Sequence, residues 1–558
     1  MSKAKSAKER HRRLLAAGFF APELPPAFTS ADFGTNRDAI LKHFKSLPKA
    51  KGDYLSHMCK LYTFRYPRFL NTDRRHSILN PIPYFALSEH LSDSYLEIRK
   101  SARKSKISIS RPMFDWEGTR AIKRPSFEAR EAFATHLAAY SNYIVSTDVA
   151  AFYHSIYTHS IPWALHTKKV AKAKKTDLSL LGNMIDKLVR NGQDGQTLGL
   201  PVGPDTSRLI AELIGSAVDV EIQSKLKKLN TRCVRLVDDY ALGCDTKHEA
   251  DLSIAIIRRA LNSFELEINN TKTGVVEAHR HSDSTWKDFI KGELPKGSFK
   301  LPELNRFFYQ IGELGKHQPT SNVLKFGLGN ARKTFVLSDE WKPIQQFLLA
   351  SYKANSTLID LLVTILIQRH QIKNDLDKEP IIRFLNSRIP SLIGQQRNGE
   401  VFWLIYLARV LRISLKAKLF EQAELEFDSL MCAQLAESDA QGLIVGKLPY
   451  SVWNQCLVTD ELNGENWLYA YETALAGNNK STKGDAFIKK HKFFSFLYEK
   501  KISFYQPQLN VPEFQTVMKQ LKHENQVNKK LLDLLEDDFN LDFDDLDEID
   551  DLDFNEEY

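Results

Sequence analysis

The segment Cys233 to Cys244, CVRLVDDYALGC, sets two adjacent carboxylates between two apolar, β-prone stretches. Flanks of this kind predict a strand, a tight turn and a returning strand, with Asp238 and Asp239 at the tip. Such a tip is electrostatically costly, because like charges so close together repel unless a cation shares the turn. The donors are hard oxygens with no His or Cys in the turn itself, which suits Mg2+, with Mn2+ as the alternative ion.

Two other segments belong with this turn. YIVSTDV brings a β-branched, aromatic stretch to an end at Asp148 and runs through Val149 into the aromatic pair Phe152-Tyr153. Gly199-Leu-Pro201-Val-Gly203-Pro204 is a rigid glycine loop opening directly into a helix, with Leu209, Ile210, Leu213, Ile214, Ala217, Val218 and Ile222 in helical register. About 50 residues separate Asp148 from the loop, and about 35 separate the loop from Asp238. Singly, each pattern is common: a polar turn, a loop, a strand end. In this order and setting they bring Asp148 beside Asp238. That is the minimum constellation for two-metal phosphoryl transfer, in which one ion activates an attacking 3′-hydroxyl and the other neutralises a departing pyrophosphate.

On these residues the sequence resembles a reverse transcriptase palm, with Asp148 in motif A, GLPVGP as motif B and LVDDY as motif C. ELEINNTKT then resembles motif D. The resemblance covers roughly residues 30 to 330 and is strongest from 143 to 275. It implies an α+β right-hand polymerase, fingers and palm, followed by an all-α, helical-repeat-like C-terminal domain. It also implies an RNA-directed DNA polymerase in which Asp148, Asp238 and Asp239 are catalytic and, with Val149, hold two Mg2+ ions. By the same resemblance Tyr153 is a steric gate against the ribose 2′-hydroxyl, and Lys123 and Arg124 hold the incoming triphosphate. Gly203 lines the nucleotide site, Lys272 lies near the departing pyrophosphate as a general acid, and Gly199, Pro201 and Pro204 border template and primer. Val202 stands where many members have Gln, so a side-chain amide near the incoming nucleotide or template is missing. Phe152-Tyr153, GLPVGPDTSR and the strap ELPPAF look most like the bacterial abortive-infection and defence-associated branch, which implies a role against phage, with templated or atypical synthesis left open. Two rivals stand beside this reading: a mobile-element enzyme of retron or intron type, and a catalytically idle palm acting as a nucleic-acid-binding scaffold.

Charge points the same way. Residues 533–558 hold 14 acids and no Lys or Arg, so the first 532 residues carry 77 basic and 55 acidic side chains. A body with net charge +22 is expected to meet nucleic acid, here an RNA template or non-coding RNA and a DNA product, with dNTPs as substrates. Arg99, Lys100, Arg103, Lys104, Lys106, Arg111, Arg120, Lys123 and Arg124 form its densest basic stretch. Five scattered cysteines without zinc spacing argue against a disulfide framework and fit a reducing cytoplasm. No segment reads as a signal peptide or membrane span.

The expected organisation is a basic arm and strap over 1–35, fingers over 36–142, a palm with motifs A to D over 143–325, a helical domain over 326–531 and an acidic, disordered tail over 532–558. A helix is expected over Ser88 to Arg103, and a capping box at Thr246 and Glu249 predicts another. Beyond Lys325, TLIDLLVTILIQ, GEVFWLIYLARVL, AKLFEQAELEFDSLMCAQL and ENWLYAYETALA read as successive helices. Their apolar surface is expected to support a homo-oligomer or a partner protein.

Overall fold

The computed structural model describes residues 5–513, apart from 49–52, 70–71, 124–126, 281–284, 296, 319–321, 425–426 and 483. Arg124 and the acidic tail lie outside the described residues.

Four antiparallel strands carry the centre of the molecule. The stretch YIVSTD forms one of them, Tyr143–Asp148, with Ile144 and Val145 fully buried. Arg232–Leu236 and Asp239–Cys244 form the hairpin beside it, and Gly274–Glu277 closes the other side. The order across the sheet is therefore Arg232–Leu236, Asp239–Cys244, Tyr143–Asp148, Gly274–Glu277. Two helices pack against it. Asp205–Leu226 opens directly from Pro204. Lys247–Ser263 begins at the capping box, where Glu249 N–H donates to Thr246 Oγ1 at 3.2 Å and Glu249 Oε2 accepts from Thr246 N–H at 3.0 Å.

N-terminal to the sheet, Tyr62–Arg68 pairs with Thr72–Ile78 as a separate antiparallel hairpin. The helix expected over Ser88 to Arg103 is instead two, Pro81–Asp93 and Tyr95–Ala102. The true start is Asn80, whose side chain caps Ile82 N–H ahead of Pro81. Helix Pro81–Asp93 is buried on nearly every face, so it shows no amphipathic stripe from which its bounds could be read.

The second half is helical, from Leu301–His317 to Phe494–Glu499. AKLFEQAELEFDSLMCAQL, expected as one helix, divides into a 3-10 stretch, Ala417–Glu424, and a helix, Ser429–Ala440, because Asp428 caps the second at Leu430 and Met431. One apolar core runs from Leu14 to Val511. Its seam is the strap: Phe19 packs edge-on to Trp467 and against Phe504, and Phe28 bridges to Tyr505. Thr29 N–H donates to Phe504 O, Gln506 N–H to Ala27 O, and Trp403 Nε1–H to Glu23 O at 2.7 Å. Among the described residues no helix is long and apolar enough to cross a membrane.

Candidate active site

Register alone brings the three aspartates together. Asp148 is the last residue of its strand and lies directly opposite Asp239 on the neighbouring one, so their side chains leave the same face of the sheet. Asp238 occupies the turn before Asp239, and its carbonyl accepts from Val149 N–H at 3.1 Å. Val149 is thus tied to the tip of the carboxylate hairpin, as Asp148 is by pairing.

The turn is strained and heavily braced. Val237 adopts φ +59°, a left-handed conformation that β-branched residues avoid. Its N–H donates to Ser110 Oγ at 2.8 Å, and its carbonyl accepts from Arg235 Nη1 at 2.7 Å. Arg235, 1% exposed, also bonds both Asp219 oxygens through Nε at 2.9 Å and both Glu212 oxygens through its terminal nitrogens at 3.0 and 2.7 Å. Ser105 and Tyr240 donate to Asp219, and Ser108 and Ser110 donate to Glu212. A buried guanidinium with every lone pair around it satisfied is rigid. Removal of one member would leave an uncompensated charge.

Burial and the neighbouring Asp239 and Asp148 carboxylates push Asp238 up to about 6. Lys272 is paired with the triad by a side-chain contact, its Nζ ion-paired with Asp148 Oδ2. Asn269 Nδ2 donates to the other oxygen, Oδ1, at 3.1 Å, and Asn269 N–H donates to Asp148 O at 2.8 Å. Among the described residues no group of three or more His, Cys, Asp or Glu side chains is preassembled around a metal position. The donor set itself, all carboxylate oxygens with mutual repulsion to relieve, fits hard divalent cations such as Mg2+.

The glycine loop lies close by. Leu200 N–H donates to Tyr153 O at 2.7 Å, and Gly199 N–H to Ile156 O at 2.8 Å. This lashes the loop, Pro201 included, to the turn that follows Asp148. Gly203 sits at φ +131°, and a Cβ there would meet Ala21 Cβ at 2.8 Å. Only glycine lets the strap pass so near. Behind it Pro204 leads into Asp205, which is wholly buried and accepts from Arg120 Nη2 at 2.7 Å and from the N–H groups of Ala121 and Ile122. Val202 contributes backbone only, its carbonyl accepting from Ser77 N–H at 2.8 Å.

Tyr153 is partly buried and lines a pocket with Ser110, Pro112, Arg208, Ala211, Glu212 and Val237. Burial pushes its phenol up to about 12, so it is neutral. Lys123 does not line that pocket; its carbonyl accepts from Arg208 Nη2, and its N–H donates to Met113 O at 2.8 Å.

Sequence reasoning passed over four groups. Arg208 stands inside the motif B segment, and its reach to the pocket follows from helix register. Arg235 interrupts an apolar strand, and Glu212 and Asp219, seven apart on a buried helix, were the matching signal. Asn269 is the third. Last, Arg65 and Arg75 lie directly opposite each other on the N-terminal hairpin, both exposed. Arg74 is close enough to Tyr153 to favour its ionised form. Like charges facing across strands destabilise a hairpin unless an anion lies over them.

Residues 108–287 match the reverse transcriptase (RNA-dependent DNA polymerase) family. The match places Asp148, Asp238, Asp239 and Lys272 within a domain whose general activity is nucleotidyl transfer, and it covers less than half of the chain. No curated protein matches the sequence. Among solved structures, apo telomerase of Candida tropicalis truncated from its C-terminal domain is similar at 12% identity and TM-score 0.27, over 43% of this chain and 54% of that one. The apo telomerase of the same organism aligns at 13% identity and TM-score 0.31, over 71% of each chain. Telomerase from Candida albicans in complex with a TWJ fragment of telomeric RNA aligns at 12% and 0.28, over 65% of this chain and 68% of that one.

Proposed function

We propose that this chain is an RNA-directed DNA polymerase that extends a DNA strand from dNTPs at the triad Asp148, Asp238 and Asp239. The observation that carries the reading is the strand register. It sets Asp148 opposite Asp239 with Asp238 beside them, inside the segment that matches the reverse transcriptase family.

The three aspartates, with the Val149 backbone, would hold two Mg2+ ions. When bound there, the ions supply activation of the 3′-hydroxyl and charge neutralisation on the leaving pyrophosphate. The chain's own groups do the positioning. Arg235 and Ser110 fix the Val237 turn, and so the aim of Asp238 and Asp239. Asn269 orients Asp148. Tyr153 presents a neutral ring where a 2′-hydroxyl would collide, which selects the deoxy sugar. The Gly199–Pro204 loop, held by the strap and by Arg120, forms the floor beside template, primer and nucleotide. Lys123, Arg124 and the hairpin arginines supply positive charge for phosphates. The net charge of the first 532 residues suits a nucleic-acid partner.

The role against phage rests on the resemblance of Phe152-Tyr153, GLPVGPDTSR and the strap, and assembly through the helical half rests on its apolar surface. Plating efficiency of phages on cells with and without the gene tests the first, and light scattering of the purified protein tests the second.

The deciding experiment is incorporation of labelled dNTPs on an RNA template with a DNA primer, and with no template added, in Mg2+. Synthesis by the parent and none by folded Asp148→Asn or Asp238→Asn is expected. Equal synthesis by the folded variants would refute the assignment.

A further inference from the structure

Between Asn269 and Thr273 the chain makes a short 3-10 turn, Asn270–Lys272, against the catalytic strand. Its backbone is pinned on both sides. Before it, Asn269 bonds Asp148 through main chain and side chain, and its own Oδ1 accepts from Thr271 N–H and Oγ1. After it, Thr273 Oγ1 lies 2.7 Å from Thr147 Oγ1. What is free to move is the Lys272 side chain. It is 46% exposed, whereas the Asp148 side chain it reaches is 7% exposed. A flexible four-carbon stem thus enters from solvent and places its ammonium on a nearly buried carboxylate.

From this geometry we propose that Lys272 is the resident counter-cation of the Asp148 carboxylate, and that a divalent ion binds the triad by displacing it. The inference rests on the reading of the triad as a metal-holding site. Both oxygens of Asp148 are taken, Oδ1 by an uncharged amide and Oδ2 by a cation. An ion seeking Oδ2 therefore competes with a tethered charge, while Asn269 keeps the carboxylate oriented throughout the exchange. Two consequences follow. The site tolerates three clustered carboxylates between rounds of metal binding, and it binds the ion less tightly than its acids alone would. The freed ammonium stays on its pinned turn, where it is available to an anionic ligand of the occupied site.

The test is Mn2+ binding to the full chain without nucleotide, followed by the loss of the free-ion electron paramagnetic resonance signal. The parent is compared with Lys272→Met, Lys272→Arg and Asp238→Asn. Lys272→Met should bind Mn2+ about ten-fold tighter, as expected on removing a partly solvated competing charge, and Lys272→Arg should not. In the parent, Mn2+ should raise the rate at which Lys272 is acetylated by an amine reagent, read by mass spectrometry. If Asp238→Asn weakens Mn2+ binding but Lys272→Met binds no tighter than the parent, the counter-cation role is wrong and the metal site stands. If Asp238→Asn binds Mn2+ as the parent does, the reading of the triad itself fails.

Discussion

Asp238→Asn should make the metal-free protein more stable while abolishing synthesis. Burial and two neighbouring carboxylates raise Asp238 to about 6. Against an unfolded value of about 3.9, that difference corresponds to ~3 kcal/mol. The sign follows from the direction. With the folded pKa raised, the stabilising contribution of the protonated acid is complete below about pH 4 and is lost as pH rises through about 6. Asn carries no charge at any pH, so the variant behaves like the protonated parent throughout. Thermal unfolding of both proteins from acidic to alkaline pH, in chelator, should give midpoints that coincide at the acid end and separate toward neutrality, with the variant a few degrees higher. Millimolar Mg2+ should narrow that gap by stabilising the parent alone. A gap of the same size at every pH, or a variant less stable than the parent at neutral pH, would show that the carboxylates do not repel as argued.

Three further outcomes are expected. Tyr153→Val should reduce the preference for dNTPs over rNTPs by about ten- to a hundred-fold, measured as a ratio of kcat/KM, since the ring beside the pocket is gone. Gly203→Ala should cost about 1–3 kcal/mol in denaturant unfolding, because alanine is strained at φ +131° and its methyl would press on Ala21. Arg235→Met should cost about 3–5 kcal/mol and lower soluble yield, because it leaves Glu212 and Asp219 buried without their cation.

What was legible in the sequence was local. The carboxylate hairpin, the strand ending at Asp148, the helix after Pro204 and the capping box at Thr246 each follow from a short window of propensity and spacing. The N-terminal hairpin was not legible, because Thr72–Ile78 is TDRRHSI, polar enough to read as loop, and Pro67 sits inside its partner. Lys272 could be placed by motif, but the anion it meets could not. That depends on a turn carrying Lys272, 124 residues downstream, folding back on Asp148. Arg235 is similar: a lone Arg among apolar residues signals a buried partner without naming it. Helices of the second half that are buried on all faces, such as Asn398–Val410, lack the stripe that marks their ends.

The helical half is expected not to be a removable module. A palm cut after residue 340 could remain active only if its own core were closed, and the strap argues against that. Phe19, Phe20 and Phe28 are buried against Phe504, Trp467, Phe402 and Tyr505, all beyond the cut. The same strap holds the Gly199–Pro204 loop from its other side: Arg120 donates to Phe20 O, to Gly203 O and to Asp205, and Asp205 N–H donates to Gly18 O. Removal of residues 341–558 would expose that aromatic seam, at roughly 1.5–3 kcal/mol for each large side chain returned to water, and would free the backing of Gly203. The truncated chain is therefore expected in inclusion bodies, whereas Trp403→Phe, which loses one hydrogen bond to Glu23 O worth about 1 kcal/mol, should fold and show a lower melting point. A soluble, cooperatively unfolding 1–340 fragment with normal dNTP incorporation would mean that the strap closes its core without the helices, and that the coupling traced from Trp403 to Gly203 is packing without consequence for the site.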